Sequence, residues 1–246
     1  MHNAAFAALE VDAVYVAFDV VPERLGAALA GGRALGLRQL AISLPHKIAA
    51  MEHLDEVDVV ARRIGAVNTA TAREDRWIGT NTDWIGAVRA LERETTLAGR
   101  EAVVLGAGGA ARGVVYGLIE RGARVRVLNR TVARAEALAR DLGAAAAGPL
   151  ESFADGPRDV IVNTTRVGLR ETRTPIDPDA IPRDAVVMDA VYDPPETALL
   201  RAAAARGART VGGKWMLVHQ AAEQLQIWSG LEAPVDVMAR AFDAAR

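Results

Sequence analysis

Glu101-Ala102-Val103-Val104-Leu105-Gly106-Ala107-Gly108-Gly109-Ala110-Ala111 is the stretch whose reading decides the fold. A short run of buried β character passes through glycines into Gly109–Arg121, whose composition suits a helix, closed by Gly122. The turn has the form G-x-G-x-x-A. Gly106 permits the tight turn, Gly108 lets backbone approach a pyrophosphate, and a small residue at 111 lets helix pack on strand. A helix start also offers unpaired N–H groups and the positive end of its dipole to phosphates. Gly106, Ala107, Gly108, Gly109 and Ala110 are therefore the expected cradle of a dinucleotide. As a bare string the motif could arise by accident in a chain this rich in Ala and Gly. Its strand–turn–helix setting gives it weight.

The end of the next strand, Arg124–Leu128, chooses between cofactors. NAD-binding proteins usually carry Asp or Glu there for the ribose 2′-hydroxyl. Here the chain reads Asn129-Arg130-Thr131, 23 residues after Gly106, with Arg134 one helical turn on. A guanidinium attracts a 2′-phosphate and stacks on adenine, whereas a carboxylate repels that phosphate. Two surface arginines are cheap in a chain with 27 of them. Their position favours NADP(H).

Working outward, β-rich runs alternate with Ala/Leu/Arg-rich helical stretches over all 246 residues, the pattern of an α/β protein with parallel sheet covered by helices. The first half reads as helix Asn3–Leu9, strand Ala13–Phe18, helix Pro22–Leu35, strand Gln39–Ser43, and short helices between His46 and Arg63. Extended pieces follow at Ala66–Thr71 and Trp77–Gly79, then a helix from Asp83 to about Glu94 with Asp83 as its N-cap. Thr95–Gly99 breaks the pattern. Two domains are expected: residues 1–98, and a Rossmann-like domain over 99–211. The helices of 212–246 are expected to pack back towards the first domain. Further strands fit Asp159–Val162, Ala185–Ala190 and Arg209–Val211, and final helices Lys214–Trp228 and Pro234–Ala245.

Composition narrows the function. The 29 basic and 31 acidic residues give a net charge of −2, so nothing marks a nucleic-acid or anionic-membrane surface. No apolar run reaches the roughly 18 residues of a spanning helix, and no signal segment opens the chain. With no cysteine, disulfides, thiolate zinc sites and cysteine nucleophiles are excluded, and the four histidines show no ligand spacing. A soluble cytoplasmic protein is the default. Only two basic residues, Lys47 and Lys214, are lysine. If a codon bias exchanges Lys for Arg wherever a solvated positive charge is enough, a retained lysine is a candidate for a place that needs a compact ammonium able to hand over a proton, and the motif around it decides. Lys214 reads as surface.

Lys47 lies in Ser43-Leu44-Pro45-His46-Lys47, a strand end turning into a helix. Gly65-Ala66-Val67-Asn68-Thr69 and Gly79-Thr80-Asn81-Thr82-Asp83 add small polar residues at element ends, where ligands bind in α/β proteins. On spacing alone, Asn-Thr-Asp before a helix is more often a cap than a catalytic site.

Taken in order, these stretches resemble the shikimate dehydrogenase family. Ile42–Lys47 resembles its [VI]-[TS]-x-P-[HF]-K, Gly65–Thr69 its G-A-[VD]-N-T, and Gly79–Gly86 its G-x-N-T-D-x-x-G. Gly106–Ala111 and Asn129–Thr131 resemble its G-A-G-G-A-[AS] and N-R-T, and Gly213–Ala221 its G-x-x-M-L-[VL]-x-Q-A. The resemblance implies reversible NADP-linked reduction of 3-dehydroshikimate to shikimate. It makes Lys47 and Asp83 the catalytic pair, and gives the substrate's ring hydroxyls to Asn68, Thr82 and Gln220, with Ser43 where threonine is usual. Tyr192 falls near the substrate carboxylate, and Ala190 and Gly213 at the nicotinamide half of the cofactor. The bland alternatives are a capping Asp83, a solvated Gln220 and a packing Tyr192.

In the family, an opening strand and an S-x-S-P loop precede the residues that match Met1–Phe6. These 246 residues hold neither, so the first domain's sheet is expected to lack a strand and to expose apolar edges at the gap. Two hydroxyl–carboxylate bonds, each worth roughly 1.5–3 kcal/mol, would go with the loop. Two other readings stay open: an NADP-binding relative without turnover, and a dehydrogenase for a related cyclic hydroxy acid such as quinate. A homodimer is a possibility.

Overall fold

The computed structural model describes residues 1–245. The chain packs as two compact units, Met1–Asp83 joined by the chain from Val218 onward, and Trp84–Leu217. The first unit begins with α1 (His2–Ala8), α2 (Leu25–Ala34), β1 (Gln39–Ala41), β2 (Glu56–Val57), α3 (Val59–Ile64), β3 (Thr69–Arg73) and β4 (Arg76–Thr80). Its sheet has the order β1-β3-β4-β2, antiparallel except where β2 runs along β4. Leu25 and Leu29 of α2 pack with Ile42, Ala61, Val67 and Ala70 around Trp77, whose indole N–H donates to the Leu29 carbonyl at 2.8 Å.

The second unit takes α4 (Asp83–Leu91) from its second residue, then β5 (Glu101–Leu105), α5 (Gly109–Glu120), β6 (Arg124–Leu128), α6 (Val132–Leu142) and β7 (Ala146–Gly148). It continues through β8 (Val160–Asn163), β9 (Val186–Asp189), α7 (Ala198–Ala205) and β10 (Arg209–Val211). All six strands are parallel, in the order β10-β9-β8-β5-β6-β7. That is the doubly wound arrangement of two mononucleotide-binding halves, with the order reversing between β5 and β8. β8 and β9 are buried along their whole length, as strands covered on both faces must be. Helix α5 lies so close to α4 that a Cβ at Gly117 would stand 2.9 Å from Val88. Finally α8 (Gly213–Ser229) and α9 (Val235–Ala244) end the chain, with Phe6 of α1 meeting Trp228 edge-on at 5.6 Å.

Several expectations change. Ala13–Phe18 forms no strand: Val14 is 76% and Phe18 63% exposed, and the Tyr15 amide donates to the Asn3 side chain at 2.6 Å rather than to a neighbouring strand. β1 is correspondingly an edge, paired with β3 alone. The interval read as short helices contains β2, and β7 and α7 were not foreseen. Asp83 is not the cap of its helix. Asn81 Oδ1 accepts the Asp83 amide at 2.9 Å and caps instead. The first unit ends at Asp83 rather than Ala98, because Ala87, Val88 and Leu91 of α4 belong to the core of Val104, Val114 and Leu118.

Candidate active site

With its own amide capped by Asn81, the Asp83 carboxylate is released for other work. Its Oδ2 accepts from Lys47 Nζ at 2.6 Å, with side-chain exposures of 5% for Asp83 and 13% for Lys47. Its Oδ1 accepts from Asn68 Nδ2 at 2.9 Å. Asn68 Nδ2 also points to Thr82 Oγ1 at 2.9 Å and Gln220 Oε1 at 3.1 Å, so its two hydrogens are shared among three acceptors. Asn68 Oδ1 accepts the Thr82 amide at 2.8 Å and the Thr69 hydroxyl at 2.8 Å. Gln220 is drawn in from α8, its carbonyl accepting from Thr82 Oγ1 at 3.0 Å.

Lys47, Asn68, Thr82, Asp83 and Gln220 thus form one cluster within the first unit. Local chain geometry explains it. Ile42 donates to the Asn68 carbonyl at 2.7 Å and Val67 to the Lys47 carbonyl at 2.8 Å, which locks the Lys47 turn against the approach to β3. Asn68 donates to the Thr80 carbonyl, tying the same approach to the end of β4. A held ammonium beside amides and hydroxyls can protonate an oxygen that gains electron density and orient neighbouring hydroxyls. Ser43 is exposed in the turn after β1 and is outside this cluster, its carbonyl accepting the His46 amide.

The residues expected to hold the nucleotide lie in the second unit. Gly106 has φ +112°, and a Cβ there would come within 2.6 Å of Thr164 Oγ1, so this position in the turn after β5 admits no side chain. Gly108, N-terminal to α5, has φ −96°, and a Cβ there would meet nothing within 4 Å. That open space at a helix start is a cradle of the kind a diphosphate fills. Ala107 and Ala110 are half-buried in the same turn, and Gly109 is buried. At the end of β6, Asn129 Nδ2 donates to the Thr131 carbonyl at 2.9 Å, while Arg130, Thr131 and Arg134 are exposed. No carboxylate stands among residues 129–135 after β6, so these residues fit a 2′-phosphorylated dinucleotide. Ala190 follows β9, its amide donating to the Asn163 carbonyl at 2.8 Å. Gly213 opens α8, where a Cβ would stand 2.6–2.8 Å from the carbonyls of residues 189–191. Tyr192 is 45% exposed.

Sequence reasoning passed over Asn163, Asp189 and Thr197, three buried polar side chains linked by hydrogen bonds. The signal was a polar triplet, Asn163-Thr164-Thr165, directly after an apolar strand. Among the described residues there is no cluster able to hold a metal, and no helix long and apolar enough to cross a membrane.

Three family models match the chain: the shikimate dehydrogenase substrate binding domain over residues 1–70, shikimate/quinate 5-dehydrogenase over 88–166, and the shikimate 5′-dehydrogenase C-terminal domain over 213–241. A shikimate dehydrogenase (NADP(+)) of Thermococcus kodakarensis is 43% identical over 240 residues, 97% of this chain and 88% of that protein. The protein of the same name from Symbiobacterium thermophilum is 46% identical over 260 residues, covering 100% of this chain and 88% of its own. Among solved structures, the Thermus thermophilus shikimate 5-dehydrogenase in complex with NADP(H) and shikimate superposes with a TM-score of 0.93 at 39% identity, covering 100% of this chain and 93% of that one.

Proposed function

Since the chain belongs to the shikimate dehydrogenase family, we propose that it catalyses the reversible, NADP-linked reduction of 3-dehydroshikimate to shikimate. The observation that carries this reading is the 2.6 Å contact of Lys47 Nζ with Asp83 Oδ2 inside a cluster of amides and hydroxyls. The first unit serves the substrate and the second the cofactor, which supplies hydride to the ketone carbon.

The chain's residues do the proton work. As hydride reaches the carbon, the ketone oxygen gains charge and Lys47 Nζ donates a proton to it. One N–H bond breaks, one O–H bond forms, and Lys47 regains its proton from water. Asp83 holds Nζ in place and keeps a positive charge where the oxyanion develops. Asn68, held on its Oδ1 side by the Thr82 amide, fixes the other Asp83 oxygen and with Thr82 and Gln220 reads the ring hydroxyls. Ser43, exposed outside the cluster, is given no part in this step, and Tyr192 is assigned to the carboxylate on the family resemblance alone. Gly106 to Ala110 and the first turn of α5 bind the diphosphate. Asn129, Arg130, Thr131 and Arg134 bind the adenosine with its 2′-phosphate, and Ala190 and Gly213 face the nicotinamide. The same reading places the enzyme in the cytoplasm, acting on small molecules alone.

The test is NADPH consumption with 3-dehydroshikimate, beside NADP+ reduction with shikimate and with quinate. Turnover in both directions on the shikimate pair is expected. Turnover with quinate alone would move the substrate to that acid, and tight NADPH binding without turnover on either would make the chain a binding protein.

A further inference from the structure

A buried polar network in the second unit takes part in none of these steps. Asp189, the last residue of β9, is wholly buried, yet its carboxylate faces neutral donors: Asn163 Nδ2 at 2.9 Å, the Val191 amide at 3.0 Å and Thr197 Oγ1 at 2.6 Å. Burial pushes this carboxyl up, and the hydrogen bonds from Thr197, Val191 and Asn163 pull against that. A carboxyl in such a place costs more than an apolar side chain of similar volume. What it orders is therefore informative.

Each donor belongs to a different piece of chain. Asn163 ends β8, and its Oδ1 accepts the Thr165 amide at 3.0 Å and the Thr165 hydroxyl at 2.8 Å, while its Nδ2 also reaches the Val167 carbonyl at 3.1 Å. Thr197 starts α7, where its hydroxyl accepts the Leu200 amide at 3.3 Å. Val191 lies in the segment leaving β9, whose carbonyls close on Gly213. One carboxylate therefore fixes the segments leaving β8 and β9 together with the start of α7. Those strand ends belong to the second mononucleotide half of the sheet. A dinucleotide lies across the carboxyl ends of the strands, with its first nucleotide over the glycine-rich half and its second over the other.

We propose that Asp189 is a positioning residue for the nicotinamide end of the cofactor, holding the backbone of residues 163–168 and 189–191 without touching the ligand. The proposal rests on the NADP reading above. It is tested with D189N in the 246-residue chain, using two ligands: NADPH, and adenosine 2′,5′-bisphosphate, which carries the adenine end and a 2′-phosphate but no nicotinamide. D189N should weaken NADPH by about tenfold or more, the equivalent of one lost hydrogen bond to a charged group, and leave the bisphosphate within about twofold. T197V removes the 2.6 Å donor and should act in the same direction, with T197S restoring NADPH affinity, so the test stands even where D189N does not fold. Equal loss for both ligands, or unchanged NADPH affinity in both variants, would overturn the proposal. Wild-type protein that binds neither ligand would overturn the NADP reading, and this proposal with it.

Discussion

Replacing Gly108 by alanine separates cofactor binding from folding. The residue sits at the N-cap of α5 with φ −96° and ψ −172°, ordinary extended backbone, and a Cβ there meets no protein atom within 4 Å. Alanine at a compatible position gains about 0.4–1 kcal/mol through the unfolded chain, against roughly 0.3–1.5 kcal/mol lost at the cap, where glycine is far better than alanine. The two nearly cancel, so the unliganded protein should melt within roughly 2–4 °C of wild type. With the diphosphate placed there as proposed, a methyl group in that open space would hold the phosphates off the first turn of α5. Losing the equivalent of two charge-assisted bonds at about 1.5–3 kcal/mol each predicts NADPH affinity lower by about 100-fold or more. Gly106→Ala makes the contrast, since φ +112° and the 2.6 Å approach to Thr164 Oγ1 predict a destabilised fold. NADPH fluorescence titration and thermal melts of both variants read the two effects. Wild-type NADPH affinity in G108A would refute the placement of the diphosphate, and a large fall in its unliganded melting temperature would refute the claim of open space.

Arg130→Ala with Arg134→Ala should weaken NADPH by about 10- to 100-fold while NADH binding barely changes, because only the 2′-phosphate loses a partner; an equal loss for both cofactors would place the arginines elsewhere. Asp83→Asn should lower turnover by roughly 10²- to 10⁴-fold with NADPH affinity kept, since the residue lies outside the cofactor unit; loss of cofactor binding in that variant would contradict the division of labour. His2 is buried, and desolvation with the nearby N-terminus lowers its pKa from 6.5 to about 4. Between those values the unfolded chain binds a proton that the folded chain refuses, so stability present above pH 6.5 is lost as pH falls towards 4, by about 3 kcal/mol over the span. Denaturant melts across that range should show the slope in wild type and a flatter one in His2→Phe; identical slopes would remove His2 from the acid sensitivity.

The second unit was legible because its signals are local. The Glu101–Ala111 stretch carries strand, turn and helix in eleven residues, and its parallel sheet follows from alternation of β and α along the chain. The errors lie where pairing decides. Ala13–Phe18 has the apolar, β-branched character of a strand, but a strand also needs a neighbour, and Asn3 satisfies Tyr15 instead. Glu56–Val57 and Ala146–Gly148 are strands only because β4 and β6 offer them an edge, which no propensity records. Asp83 looked like a helix cap because Asp is a common one. Asn81, two residues earlier, can cap as well, and Lys47, 36 residues away, competes for the carboxylate. Lys47, Asn68, Thr82 and Asp83 stand in polar motifs at element ends, whereas Gln220, inside α8, was legible only through the family resemblance. The Asp189 network was not legible, because a buried aspartate at the end of an apolar strand resembles any other strand terminus until its donors are seen.

The most direct test of the account is the rate of NADPH oxidation by Lys47→Ala with 3-dehydroshikimate, measured beside wild type on protein shown to bind NADPH. Turnover reduced by about 10²-fold or more with unchanged NADPH affinity is predicted, since the ammonium donates the proton and steadies the developing charge. A Lys47→Ala enzyme turning over near the wild-type rate would contradict the assignment of the proton to Lys47.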